Sequence, residues 1–134
     1  MTTFDDIKAD FDFIDDWDEK YRYLIDLGKR LDPLTEAERN ERTKVRGCAS
    51  QVWLVTGEED GRLRVRGDSD AAIVRGLIGV VIALFGGRTK AEVAALDAEA
   101  KLAELDLSDH ITPQRSNGVA SMIKRLKAEA GASG

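Results

Sequence analysis

The sequence predicts an α+β fold in which several helices cover a small antiparallel sheet of about three strands. Two patterns favour it. Apolar residues recur at helical spacing in both halves of the 134-residue chain, and two short segments in the middle of the chain have the alternating pattern of strands on either side of a turn. With 43% hydrophobic residues, the chain is able to bury the core of one ordinary domain. We therefore expect one domain over residues 1–134, frayed at residues 1–3 and 131–134.

Two helices are predicted in the first part of the chain. The first has apolar residues at helical spacing, namely Phe4, Ile7, Phe11 and Ile14. The second is expected from about Trp17 to Leu31, and Pro33 ends it because proline disfavours helical geometry in the residue before it. Thr35 and Glu38 have the spacing of a capping box, which predicts one or two further helical turns over residues 35–40.

Two strands and a turn are predicted next. The segment 51–56 has apolar residues on both of its faces, so both faces are expected to be at least partly covered. In the segment 62–66, Leu63 and Val65 alternate with arginines, as in a half-buried strand with a basic outer face. Residues 58–61 predict the hairpin turn between the two, and a third strand is expected near residues 43–46.

A buried helix is predicted over residues 71–85. The apolar stretch 76–87 has 12 residues, whereas a membrane span needs about 20. Gly76 and Gly79 are expected to permit close packing of this helix. Three residues before it are expected to cap it, namely Asp68, Ser69 and Asp70.

The remainder of the chain is also predicted to be helical. Short helices are expected over residues 89–95 and 98–105, and the loop after them holds the sole histidine, His110. Thr112 followed by Pro113 predicts the start of the last helix, because threonine caps helices and proline favours the first helical position.

Charge and the amino terminus narrow the class of protein. The formal net charge is -5 and the pI is about 5.0, which argues against a nucleic acid or an anionic membrane as partner. The first residues contain no basic region that leads into an apolar run, so no secretory signal is predicted. We therefore expect a cytoplasmic protein whose thiol lives in a reducing environment.

Cys48 is the only cysteine, so it forms no disulfide within the chain. A structural zinc site needs four ligands drawn mostly from cysteine and histidine, and the chain offers only Cys48 and His110. The residues alone leave open whether this thiol is an inert packing residue or one that meets the sulfur of a partner.

Three blocks of the chain carry a resemblance to a known family. They are VRGCASQVW around Cys48, GDSDAAIVRGLI from Gly67 to Ile78, and HITPQRSNG from His110 to Gly118. Taken in this order, they resemble the SufE family of sulfur-acceptor proteins, which take persulfide sulfur from a cysteine desulfurase for iron–sulfur cluster assembly. The resemblance covers nearly the whole chain and implies the family's fold.

The resemblance also implies a function. Cys48 is expected to accept the sulfur as a persulfide from a pyridoxal-phosphate-dependent cysteine desulfurase of the SufS or CsdA type. The protein is then expected to stimulate that enzyme and to pass the sulfur to a downstream iron–sulfur scaffold. Because the pyridoxal chemistry belongs to the partner, we expect a carrier and activator that is not an independent catalyst and that has no cofactor or metal of its own.

Sulfur transfer places demands on the surroundings of Cys48. The attacking thiol must be reachable and partly ionised. Nearby cations lower the pKa of a thiol, so Lys44 and Arg46 are candidates for that effect. Four residues are candidates for a partner surface, namely Arg46, Gly47, Asp70 and Arg115.

Two alternatives to sulfur transfer remain at this point. The first is a protein-interaction module in which Cys48 only packs. The second is a hydrolase with Cys48 as nucleophile and His110 as base, although no local signature of such a dyad is present.

Overall fold

The computed structural model describes residues 2–48 and 50–132. Six helices and two strands occur in these residues, in the order α1, α2, β1, β2, α3, α4, α5, α6. Their bounds are α1 Phe4–Phe13, α2 Trp17–Lys29, β1 Val52–Glu59, β2 Arg62–Ser69, α3 Ala72–Phe85, α4 Lys90–Ala95, α5 Ala98–Ala103 and α6 Pro113–Ala132. The predicted α+β class is confirmed.

The helix ends follow local chemistry. The Thr3 side chain accepts a hydrogen bond from the Asp6 N–H, and the Asp6 carboxylate accepts one from the Thr3 N–H, so a capping box begins α1. The Thr112 hydroxyl accepts from the Arg115 N–H, and Pro113 is the first residue of α6, as predicted. The frayed ends remain a prediction for Met1, Ser133 and Gly134, which lie outside the described residues.

The sheet has two strands where about three were predicted. β1 and β2 are antiparallel, with Val52 opposite Ser69 at one end and Glu59 opposite Arg62 at the hairpin turn. The expected strand at residues 43–46 is reduced to one isolated bridge, between Lys44 and Trp53. The chain leaves the edge of β1 just afterwards, because residues 46 and 47 form a turn.

One of two capping predictions was confirmed and the other was wrong. Thr35 and Glu38 form the reciprocal bonds of a capping box. A single turn follows over residues 36–38, and the Arg39 N–H closes it by donating to the Thr35 carbonyl oxygen at 3.2 Å. The start of α3 has Ala71 at its cap position, with no side-chain hydrogen bond. β2 extends through Ser69, so Asp68 and Ser69 belong to the strand and Asp70 follows it directly. Their side chains accept hydrogen bonds from groups other than the N–H groups of α3.

α3 lies at the centre of the core. It packs against α1, α2, β2 and α6, and most of its residues are buried. The contact with α2 is close: a Cβ atom added to Gly76 would lie 2.2 Å from the Leu24 carbonyl oxygen. The predicted packing role of Gly76 is therefore confirmed. Among the described residues, none of the helices combines the length and the apolar character that crossing a bilayer requires.

Substituting Gly76 should separate the two central helices. Gly76→Ala places a methyl group against the α2 backbone, which cannot rotate away, so we expect a loss of about 3 kcal/mol in the free energy of unfolding. Urea denaturation measures it. Gly131→Ala is the matched control, since this helical glycine has open space around it and alanine favours helix. Equal stability of the two variants would contradict the close-packing role.

Candidate functional site

The segment that carries Cys48 is held at both of its ends. At the first end, the Val45 N–H donates to the Val52 carbonyl oxygen at 2.8 Å. At the second, the Gln51 N–H donates to Asp70 Oδ1 at 3.1 Å, which ties the segment to the residues just before α3. The thiol therefore lies on a short connection between two fixed points.

Gly47 shapes the turn before the thiol. Its φ of 86° lies in the left-handed region, which glycine adopts at little cost. A Cβ atom at this position would also lie 2.6 Å from Ser121 Oγ on α6. Both constraints favour glycine, because the backbone here turns directly against the helix.

The Cys48 thiol rests on the first turns of α6. The side chain is partly buried, and its Sγ donates to the Gly118 carbonyl oxygen at a distance of 3.7 Å. A Cβ atom on Gly118 would stand 3.5 Å from Sγ. The absence of a side chain at residue 118 thus leaves open space directly beside the sulfur.

A small cavity of about 20 Å³ occupies this place. Exposed Gln114 and Arg115 border it together with Cys48 and Gly118. Buried side chains of the core form another part of its lining, namely Val52, Val74, Leu77 and Met122. A cavity of roughly 10–15 Å³ already accommodates one water, so this one has room for about one additional atom of that size.

Electrostatics favour the neutral thiol in this conformation. Burial raises the pKa of Cys48, because the charged thiolate loses hydration. Lys44 and Arg46, the candidates for lowering this pKa, do not act in that way: within the described part of the chain burial is the cause of the shift, and the Arg46 guanidinium pairs with Glu41 at 3.3 Å. The side chains of Arg46 and Glu41 are highly exposed, at 80% and 78% respectively.

Three of the four candidate surface residues contribute to the Cys48 segment or to the cavity beside it. Gly47 turns the backbone, Asp70 anchors Gln51, and Arg115 borders the cavity. Arg46 lies next to them in sequence but directs its side chain toward Glu41. Asp70 and Arg115 are exposed, so they remain available to a partner surface as well.

His110 has a different setting. Its ring stacks on Trp17, with 3.8 Å between ring centroids and 18° between planes, and its Nε2 lies 3.7 Å from Asp106 Oδ2. Its carbonyl oxygen accepts the Tyr21 hydroxyl. The bonds of Cys48 and His110 thus go to different residues, and the hydrolase alternative finds no support in this geometry.

Sequence reasoning missed the part played by α6. Gly118, Ser121 and Met122 all face the Cys48 segment, and none of them was predicted to take part in the site. Their spacing of three and four residues places them on one helical face, which is the signal that could have found them. Among residues 2–48 and 50–132, no group of three histidine, cysteine, aspartate or glutamate side chains is arranged to hold a metal ion.

The chain is similar to proteins of one family along nearly its full length. The sequence model of the SufE family, described as an Fe-S metabolism associated domain, matches residues 5–130. An uncharacterized SufE-like protein of Rhizobium meliloti is 47% identical, over 97% of this chain and 96% of its own. Another from Rhizobium etli is 48% identical, over 97% and 90% respectively.

The fold is also found among solved structures. One example is the solution structure of a hypothetical protein from Thermus thermophilus, with a TM-score of 0.77 over 96% of this chain and 93% of that one. At 17% identity, this similarity concerns the fold alone. The match over residues 5–130 and the two close relatives establish that the chain belongs to the SufE family, whose domain is associated with iron–sulfur metabolism.

Proposed function

We propose that the protein is a sulfur carrier in iron–sulfur cluster assembly. Cys48 accepts a sulfane sulfur from a cysteine desulfurase, holds it as a persulfide, and releases it to the next acceptor. The observation that carries this proposal is a lone thiol, on a short segment fixed at both ends, beside a cavity with room for about one more atom. The family's association with iron–sulfur metabolism supports it.

The transfer step conserves atoms and electrons. The Cys48 thiolate attacks the outer sulfur of the cysteine persulfide on the desulfurase, the sulfur–sulfur bond of the donor breaks, and a new one forms at Cys48. The donor cysteine departs as a thiolate and takes up a proton equivalent to the one that Cys48 lost. No external oxidant or reductant is needed, and the onward transfer repeats the same exchange.

The resting position suits storage better than attack. A neutral, partly buried thiol reacts slowly, because the thiolate is the nucleophile. Transfer therefore requires that docking move the Cys48 segment toward the partner and restore hydration or charge to the sulfur. Gly47 provides backbone freedom for such a movement, and exposed Asp70 and Arg115 border the surface on which the partner would dock.

The proposed donor is a pyridoxal-phosphate-dependent desulfurase of the SufS or CsdA type, in the cytoplasm, and the proposed recipient is an iron–sulfur scaffold. The protein's part is to carry sulfur and to stimulate the desulfurase, whose pyridoxal chemistry stays in that partner.

One observation favours a second candidate, the interaction module. The partial burial and raised pKa of Cys48 are what an inert packing thiol would show. The two candidates differ in what happens when a desulfurase is present, since only a carrier acquires sulfur on Cys48.

Mixing the protein with a cysteine desulfurase and free cysteine should add one sulfur atom to Cys48. Intact-mass spectrometry of the wild-type chain should detect a sulfur-sized increase that a reductant removes, because a persulfide is reducible. Cys48→Ser is the matched control and should show no increase. A wild-type chain that stays unmodified beside an active desulfurase, or a Cys48→Ser variant that relays sulfur equally well, would favour the interaction module.

The pH dependence of alkylation should report the burial of the thiol. Because the pKa of Cys48 is raised in the folded state, iodoacetamide should react with the folded chain at a rate that still rises where the rate of the urea-unfolded chain has levelled off. By linkage, burial of the neutral thiol favours folding below the unfolded-state pKa, and this contribution declines as the pH rises through the folded-state pKa. Coincident pH profiles would contradict the raised pKa.

Filling the cavity should leave Cys48 able to accept sulfur but should remove the protection of the persulfide that results. Gly118→Ala adds a methyl group at ordinary contact distance from Sγ, so we expect the fold and the thiol to persist. The outer sulfur of the persulfide should then find no space in the cavity, so an external thiol should reduce it several-fold faster. This change corresponds to about 1 kcal/mol, close to the contribution of one buried methylene group. Mass spectrometry over time measures the decay. An unchanged persulfide lifetime would show that the cavity does not shelter the outer sulfur.

A further inference from the structure

Arg125, one turn beyond Ser121 on α6, binds the chain just before the Cys48 segment. Its Nη1 donates to the Lys44 carbonyl oxygen at 3.1 Å, and its Nη2 donates to the carbonyl oxygen of Arg42. The carbonyl of Thr43, between these two, accepts from the Leu54 N–H of β1 at 2.8 Å. Three successive carbonyl groups are thus fixed, two by Arg125 and one by the sheet.

The guanidinium is itself held in place. Its Nε donates to Glu129 Oε1 at 2.5 Å, and the other oxygen of Glu129 accepts the hydroxyl of Thr56 in β1. Burial opposes ionisation of Glu129, but the hydrogen bonds from Thr56 and Arg125 outweigh it and hold the pKa of this carboxyl below its ordinary value. Arg125 therefore faces a charged partner and is oriented by it.

The position of Arg125 continues the face of α6 that underlies the thiol. Gly118 contacts Cys48, Ser121 lies under Gly47, and Arg125 binds residues 42 and 44. These three residues of α6 are spaced by three and four, so they lie on one side of the helix. The chain from residue 42 to Cys48 is laid along this side, with its carbonyl groups bound at the far end and its thiol at the near end.

We propose that Arg125 is a positioning residue that fixes the base of the Cys48 segment, so that the thiol moves only on the short stretch between Val45 and Gln51. Beyond that stretch, Val45 is tied to Val52 and the preceding carbonyls are tied to Arg125. Without the guanidinium, the stretch that can leave α6 lengthens toward residue 42. The consequence for sulfur transfer rests on the proposed function, whereas the local anchoring does not.

Hydrogen exchange tests the anchoring without any desulfurase. In Arg125→Ala we expect the N–H groups of Val45 and Leu54 to exchange about tenfold faster, since charge-assisted hydrogen bonds to two carbonyl groups are lost. The amides of α3 should keep their wild-type rates. Lys124→Ala is the matched control, because it removes a cation from the neighbouring, exposed position of the same helix and should leave both sets unchanged.

A second variant, Arg125→Lys, keeps the proposal testable if Arg125→Ala does not fold. Arg125→Lys keeps the charge, but one ammonium group cannot replace three donors aimed at three acceptors, so its effect at Val45 and Leu54 should be smaller and in the same direction. Wild-type exchange at these two amides in both variants would overturn the proposal. Equal acceleration of the α3 amides would overturn it too, since Arg125 would then stabilise the whole fold and not this segment.

The thiol provides the functional readout. Iodoacetamide should alkylate Cys48 several-fold faster in Arg125→Ala than in the wild type or in Lys124→Ala, and a persulfide on Cys48 should be reduced faster by an external thiol. Unchanged alkylation of Cys48 would contradict the positioning role. If the wild-type chain acquires no sulfur from an active desulfurase, the proposed function fails, while exchange and alkylation still decide the role of Arg125.

Discussion

The burial of α3 is the constraint on which the rest of the structure depends. A helix that is apolar around most of its circumference has to be covered on nearly every side. α2 covers one side at backbone contact, the hairpin covers another, and α6 closes part of the remainder. Because α6 must reach α3 to do so, its first turns arrive beside Val74 and Leu77. The cavity next to Cys48 is therefore an extension of the core.

The setting of the thiol combines two kinds of restraint. Backbone pairing with the edge of β1 fixes where the segment begins, and side chains from α6 and from Asp70 fix where it lies. The charges of the hairpin take no part in this, because Arg62, Arg64 and Arg66 pair with carboxylates of the same molecule, namely Glu92, Glu59 and Glu38. The surface around the thiol is thus set apart from the basic face of the strand.

Sequence patterns predicted what is local and missed what is tertiary. The starts of α1 and α6, the hairpin and the central helix depend on neighbouring residues, and periodicity or capping chemistry shows them. The capping role of Asp70 was predicted wrongly, because its carboxylate bonds to Gln51, 19 residues away. Arg46 fails as a candidate for lowering the pKa of Cys48 for a similar reason: it is near in sequence, but its guanidinium pairs with Glu41. The resemblance pointed to Cys48, whereas the helix beneath it became apparent only in three dimensions.

The size of the space beside Cys48 has a consequence for stoichiometry. About 20 Å³ accommodates one added atom but neither a second sulfur in a chain nor the oxygens of a sulfinate. Under the proposed function, each molecule would then carry one sulfur atom at a time. Polysulfide growth and over-oxidation of the cysteine would add atoms that exceed this volume, so those atoms would have to project past exposed Gln114 and Arg115 or displace the segment from α6.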